Sequence, residues 1–199
     1  MVRDSGRNIT RERIAYLAAR LMAVDGIEDY ALAKRKAARQ AGAPTTRQMP
    51  DNGEIDAALR QYRELYQQDH PKLLRELRQF ALVVMDEFEQ FNPYLTGPIL
   101  SGNAGKYAAI SLHLFTDNFK SVEHYLLDRD IDFRSDEARL YAGDMAVAAP
   151  VLSFERDGFE VHLTLLVTRD LRLQLKTSVK GKPIERAKRG TLEALIAAG

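Results

Sequence analysis

The sequence predicts an α+β fold, with a helical N-terminal region over residues 1–92 and a mixed sheet flanked by helices over residues 93–199. Three observations predict this class. Apolar residues recur with a helical period through most of residues 1–92. From Ile110 to Phe115 they alternate strictly with polar residues, as in a half-buried strand. Asp157-Gly158 separates two apolar runs and is the strongest short-range signal for a β-hairpin.

Four helices are predicted in the N-terminal region, each bounded by capping or breaking residues. The predicted bounds are a cap near Thr10 to Asp25-Gly26, about residue 28 to Gly42, a start at Asp51 or Asn52, and Pro71 to Asn92-Pro93. We expect the third helix to bury Ile55, Leu59, Tyr62 and Tyr66.

The second region is predicted to alternate short strands with helices. Its expected elements are a strand at 110–115, a helix capped by Asp117, short strands near 131–134 and 138–142, a hairpin of 151–156 and 159–167, and a closing helix from Thr191 to Ala198.

Composition excludes several classes of protein. The chain has 199 residues, of which 45% are hydrophobic and 29% charged, a balance that argues against disorder. It contains no cysteine, which excludes a disulfide scaffold, a thiolate nucleophile and a zinc-finger site, and fits a reducing compartment. No apolar run approaches the roughly 20 residues of a transmembrane helix, and the first residues lack an apolar signal segment. We therefore expect a cytoplasmic protein with no membrane partner.

A family resemblance is carried by the segment from Tyr94 to Phe115. Tyr94-Leu95-Thr96-Gly97-Pro98 is followed, twelve residues after Gly97, by Ala109-Ile110-Ser111. The segment resembles the core of the nucleotidyltransferase superfamily related to DNA polymerase β. That signature is a strand, a Gly-Ser turn, a short helix and Asp-x-Asp on the next strand, and Gly102 matches its third small residue. The resemblance implies a nucleotidyltransferase-like domain.

The departures from the signature concern the metal site. Pro98 replaces the serine of the turn, and Ala109 and Ser111 replace the two aspartates. In nucleotidyl transfer these carboxylates hold magnesium, which neutralises the triphosphate and activates the attacking oxygen. Glu160 is the candidate third carboxylate and the only candidate catalytic residue. The resemblance thus implies a fold without the transfer chemistry and without a cofactor, which acts as a nucleotide-binding, phosphate-binding or regulatory module.

The alternative is an active nucleotidyltransferase that uses magnesium with atypical ligands. Asp117, Glu155 or Glu160 would then supply the carboxylates. A third class is an RNA-associated factor that uses the basic ends of the chain.

Strand parity predicts one apolar and one polar face. Ile110, Leu112 and Leu114 share a face, which leaves Ala109, Ser111 and His113 on the other. In the hairpin the polar face carries Ser153, Glu155, Glu160, His162 and Thr164. If the hairpin adjoins residues 110–115, both polar faces line one cleft. His113, His162 and Glu160 would be chemically sensible zinc ligands there, and the alternative is that they are solvated residues on an open sheet face.

A candidate phosphate site follows from the same segment. Losing two aspartates removes charge that would repel phosphate, and backbone and side-chain donors remain. The predicted ligand-binding residues are Gly97, Ser101, Gly102, Lys106 and Ser111.

Basic residues concentrate at the two ends of the chain. Lys and Arg exceed Asp and Glu by five in residues 1–50 and by three in residues 151–199, whereas acidic residues are in excess between them. Residues 169–189 hold eight cations against Asp170 and Glu185. Such density suits phosphate contacts, and its alternative is a solvated surface. The candidate nucleic-acid contacts are Lys34, Arg35, Lys36, Arg39, Lys180 and Lys182; RNA and a protein partner complete the candidate partners.

Overall fold

The computed structural model describes residues 3–27, 29–44, 48–179 and 181–198, and it confirms the predicted α+β class. The helices are α1 (Arg3–Val24), α2 (Tyr30–Gln40), α3 (Asn52–Tyr66), α4 (His70–Glu87), α5 (Gly97–Ser101), α6 (Phe119–Leu127) and α7 (Arg189–Ala197). The strands are β1 (Pro93–Thr96), β2 (Ile110–Phe115), β3 (Arg134–Ala142), β4 (Met145–Arg156), β5 (Phe159–Leu166) and β6 (Leu175–Lys176).

The chain divides into two compact units. The first contains Met1–Leu73 with Gly105–Tyr107, and the second contains Leu74–Ala104 with Ala108–Gly199. Helix gives way to strand at Pro93, where the sequence changes period, but most of α4 belongs to the second unit. The reason is that α4 packs on the sheet: the Phe80 and Phe159 ring centroids lie 4.6 Å apart.

The first unit contains a helical core made by α1, α2 and α3. Asp51 caps α3 in a reciprocal capping box with Glu54, in which each side chain accepts a hydrogen bond from the other residue's backbone N–H. Asp29 caps α2 with its side chain, which accepts hydrogen bonds from the Ala31 and Leu32 N–H groups. The fully buried residues of this core include Ile14, Ala18, Ala19, Ala33, Ala37, Ala38, Ile55 and Leu59.

Two predictions for this unit are wrong. Thr10 does not begin the first helix, because α1 already starts at Arg3, and no proline interrupts the chain before Thr10. Tyr66 is not buried: it is 63% exposed. It lies at the end of α3, where its ring packs on that of Tyr62 at 4.8 Å between centroids instead of entering the core.

The sheet of the second unit has the strand order β1-β2-β5-β4-β3-β6. Strands β2 and β5 are parallel, and the other neighbouring pairs are antiparallel. The predicted hairpin is confirmed, and its turn residues Asp157 (φ 52°) and Gly158 (φ 81°) both take the left-handed conformation that a type I′ turn requires. Leu95 exchanges two backbone hydrogen bonds with Ala187, which covers the outer edge of β1.

Two local predictions for this unit are also wrong. Residues 131–133 are not in a strand, and one strand, β3, runs from Arg134 through the expected 138–142 segment, because β4 begins at Met145 and pairs with β3 along its whole length. Asn118, not Asp117, caps α6 by accepting a hydrogen bond from the Ser121 N–H. The Asp117 carboxylate instead accepts from the Thr168 N–H at 2.9 Å.

The two sheet faces are covered differently. The first face is apolar, as predicted, and its buried residues are Ile110, Leu112, Leu114, Leu152, Phe154, Val161, Leu163 and Leu165. The second face is polar at one end. At its other end a separate cluster of Tyr94, Phe115, Leu140, Ala149, Leu166 and Leu175 is packed by residues of the segment after β5, including Leu171, Leu173 and Ile184.

In the described ranges, no helix has both the length and the apolar character needed to cross a bilayer.

Candidate functional site

The open end of the second face carries a line of polar side chains across five strands, which we call the polar row: Thr96, Ser111, His162, Ser153 and Arg134. Each residue of the row is paired with the next by strand register. Registered partners project from the same face of a sheet. The expectation that the hairpin adjoins residues 110–115 with its polar face beside Ser111 is therefore confirmed.

Ser111 lies in the middle of β2 and is half-buried. Its strand neighbours are Thr96 and His162, a hydroxyl and an imidazole, so neither is a carboxylate. Gly97, which begins α5, has a left-handed backbone (φ 75°) and lies against Ser111: a Cβ added to Gly97 would be 3.7 Å from Ser111 Cβ. The Thr96 hydroxyl donates to the Ser111 carbonyl at 3.1 Å and so fixes the start of α5 against β2.

Glu160 lies beside the polar row with its charge compensated. Its Oε1 accepts a hydrogen bond from Arg134 Nη2 at 3.0 Å and lies 3.1 Å from His162 Nε2. The side chains of Arg134 and Glu160 are 81% and 47% exposed, so this ion pair is solvated and contributes little stability. The ion pair matters for the charge of the site, because the Arg134 guanidinium offsets the negative charge of Glu160, the candidate third carboxylate.

His113 does not join this cluster. It shares a face with Ser111, but it lies under the segment after β5 and is only 5% exposed. Burial, together with the positive charge of Arg186, lowers the pKa of His113 to about 4. Among the described residues no three His, Asp or Glu side chains come close enough to hold a metal ion. The candidate set His113, His162 and Glu160 is therefore not assembled, and only His162 and Glu160 lie together.

The other two candidate carboxylates, Asp117 and Glu155, are not strand neighbours of Ser111. Asp117 accepts the Thr168 N–H. Glu155 is exposed and is registered with Glu160 at the hairpin end of the strands. Ala109, at the position of the first aspartate in the resemblance, has no ligating group.

The other predicted phosphate ligands lie on and after α5. The exposed Ser101 hydroxyl donates weakly to the Pro98 carbonyl at 3.4 Å, and Gly102 ends the helix. Arg78 of α4 donates to the carbonyls of Ile99 and Leu100 at 3.3 and 3.4 Å, which neutralises the carbonyl end of α5. Lys106 belongs to the first unit, is exposed and lies over the Tyr107 ring at 5.5 Å.

The basic candidates of α2 have different roles. Lys34 Nζ donates to Asn52 Oδ1 at 2.7 Å, and burial lowers the pKa of Lys34. Lys34 therefore links α2 to the start of α3. Arg35, Lys36 and Arg39 are exposed.

In the C-terminal basic stretch Lys182 is exposed, and Lys180 lies outside the described residues. Three further cations of this stretch, Arg169, Arg172 and Lys176, line a cleft together with residues at the end of the β3–β4 hairpin. The sequence shows the density of cations, but it does not show that the hairpin end lies beside them, because that depends on how β3, β4 and β6 pair.

Comparisons of the chain with protein-family models, with curated proteins and with solved structures find no match. The family resemblance therefore rests on the sequence of residues 94–115.

Proposed function

We propose that this protein is a nucleotidyltransferase-like module that has lost metal-dependent transfer and binds a nucleotide or another phosphate-bearing ligand without metal. The observation that carries the proposal is the composition of the polar row around Ser111. Where the resemblance places a metal-holding aspartate, the chain has a serine between Thr96 and His162. The Thr96 hydroxyl already donates to the Ser111 carbonyl, so the Ser111 hydroxyl is the donor of the row that a phosphate oxygen can use, whereas a carboxylate in its place needs a cation between it and phosphate.

The order of elements supports the fold part of the proposal. Strand β1 leads through Gly97 into the short α5 and then into β2, which is the order of the family signature. The strand beside β2 is β5, and it carries Glu160, the candidate for the third carboxylate.

The local charge supports the ligand part. Glu160 contacts two residues of the polar row, Arg134 and His162, and the positive charge of Arg134 offsets the charge of Glu160. The Arg134 side chain is exposed, and an anion at the open end of the sheet competes with Glu160 for its guanidinium. Charge-assisted hydrogen bonds from a guanidinium to phosphate are among the stronger polar contacts that proteins make.

The test is titration of the full chain with ATP, GTP and UTP in EDTA, followed by calorimetry and by amide chemical shifts. We expect saturable shifts in residues 97–102, 111 and 160–162. Ser111→Ala should weaken binding about tenfold, the loss expected for one hydrogen bond to a charged group. Ser135→Ala is the matched control, since Ser135 is registered with Leu152 and so projects from the opposite face of the same sheet. Absence of heat and of shifts at millimolar nucleotide would overturn the proposal.

The active-enzyme alternative is separated by a second assay. With magnesium or manganese and nucleoside triphosphates, we expect no release of pyrophosphate above background. Metal-dependent release that Glu160→Ala abolishes would establish the alternative and refute the loss of transfer chemistry.

A further inference from the structure

A second site, independent of the polar row, lies at the far end of the β3–β4 hairpin. A cleft of about 930 Å³ lies at the hairpin end, beside β6, whose Lys176 and Leu175 pair with Tyr141 and Ala142 at the end of β3. We call it the basic cleft. Its lining includes the cations Arg169, Arg172 and Lys176, and its apolar part includes Met145, Val147 and Leu173. Its volume lies at the upper end of the range for protein ligand sites, about 300–1,000 Å³.

The charge of the basic cleft is largely uncompensated. Its one acidic lining residue is Asp170, which is buried and lies 3.8 Å from the Arg169 guanidinium. Within the described ranges Arg172 and Lys176 make no ion pair with a carboxylate. Three cations against one carboxylate leave the cleft with a net positive charge, which favours an anionic ligand.

The basic surface continues beyond the cleft. Lys176 forms a β-bridge with Pro183, and the exposed Lys182 immediately precedes that proline. The positive charge therefore extends along the chain instead of surrounding one point, which suits a ligand with several phosphates in series.

The cleft also offers an apolar contact. Met145 in its lining is 73% exposed, so its side chain is accessible to a ligand. A ligand that combines a line of phosphates with flat apolar groups would use both features. Single-stranded nucleic acid has this chemistry, and its bases stack on guanidinium planes as well as on aromatic rings.

We propose that the basic cleft binds single-stranded RNA, through its phosphates on Arg169, Arg172 and Lys176 and through a base on Met145. A duplex is a poor fit, because duplexes receive protein elements in their grooves and do not enter a cleft of this size. Among the described residues the lining has no aromatic side chain, so recognition depends on the phosphate backbone and on the apolar contact of a base with Met145, and it has little sequence preference.

The test is fluorescence anisotropy of the full chain with a labelled ten-nucleotide single-stranded RNA at several salt concentrations. Three phosphate contacts predict a slope of log affinity against log salt of about −2. The variant R169Q/R172Q/K176Q should lose about tenfold or more in affinity at 50 mM salt and most of that slope. Met145→Gln should weaken binding about fivefold and leave the slope unchanged.

The matched control carries the same loss of charge elsewhere. The variant R60Q/K72Q/R75Q removes three exposed cations from α3 and α4 and should change affinity by no more than about twofold. Equal loss in the two triple variants would overturn the proposal, because net charge alone would then explain binding. Thermal unfolding of each variant verifies that the chain is folded.

Competition identifies the ligand class. Unlabelled single-stranded RNA should displace the probe, whereas polyglutamate, tripolyphosphate and duplex RNA of equal length should compete at least tenfold more weakly. Displacement by polyglutamate at equal charge would instead assign the cleft to an acidic protein segment. Displacement by tripolyphosphate would assign it to a free polyphosphate, and preference for the duplex would likewise overturn the proposal.

Discussion

His113 predicts a specific dependence of stability on pH. Its side chain lies in the centre of β2 beneath the segment after β5, and its Nδ1 is buried without a hydrogen-bond partner in the described part of the chain. Burial and the neighbouring Arg186 charge lower its pKa from 6.5 to about 4. The folded state therefore disfavours the imidazolium, whereas the unfolded chain accepts a proton with an ordinary histidine pKa.

The sign and size follow from proton linkage. Between about pH 4 and 6.5 the unfolded state binds more protons at this site, so stability falls as the pH falls through that window. Well above pH 6.5 the imidazole is neutral in both the folded and the unfolded state, so its titration no longer lowers the free energy of unfolding. At pH 5 the expected loss is about 2 kcal/mol, and the limiting loss below pH 4 is about 3 kcal/mol.

The assay is chemical unfolding at pH 7 and pH 5 for the native chain and for His113→Leu. The leucine variant keeps a buried side chain and removes the titration, so its free energy of unfolding should fall between the two pH values by about 2 kcal/mol less than that of the native chain. The same two chains at pH 7 and pH 8 are the control, because His113 is neutral in the folded state at both values and the native chain and His113→Leu should then change nearly alike. Equal pH dependence in the native chain and in His113→Leu would refute the reasoning.

Three further predictions concern stability. Arg156→Met should lower the free energy of unfolding by about 1–2 kcal/mol, because Arg156 Nη1 donates to both Glu87 carboxylate oxygens at 2.8 and 2.7 Å and joins β4 to α4. A double-mutant cycle with Glu87→Gln, measured by urea unfolding, should show coupling between the two residues. Additive effects of the two substitutions would contradict this prediction. Gly158→Ala should cost about 1 kcal/mol through its left-handed backbone (φ 81°), whereas Gly190→Ala in α7 should be neutral or stabilising in the same thermal scans. Asp51→Ala should cost about 1 kcal/mol in urea unfolding by removing the capping box of α3, and Asp51→Asn should restore most of it; no loss in the alanine variant would argue against the cap.

The elements that could be predicted are those whose local pattern and final burial agree. Strand β2 matches its prediction at both ends, because its alternation coincides with the apolar first face. The hairpin follows from Asp157-Gly158, whose left-handed conformations suit these residue types. The full length of β3 could not be predicted, since the alanine-rich start of β4 has weak strand propensity and is held in the sheet by its pairing.

The candidate site could be predicted only as far as strand parity reaches. Parity placed Ser111, His162 and Ser153 on one face, and the registers agree. The same parity treated His113 as an open polar residue, but a distant segment covers it. The Arg134 and Glu160 contact depends on the register of β3 against β4, which no local signal specifies.

The affinity for ATP measured with EDTA and with excess magnesium tests the central claim, a phosphate site without metal. If donors of the polar row hold the phosphates directly, ATP in EDTA binds at least as tightly as the magnesium complex, because the metal removes part of the negative charge that the donors recognise. A calorimetric titration of the native chain, with Ser111→Ala beside it, should show this order and about a tenfold weaker variant in EDTA. Binding that appears only with magnesium and is unaffected by Ser111→Ala would contradict the account.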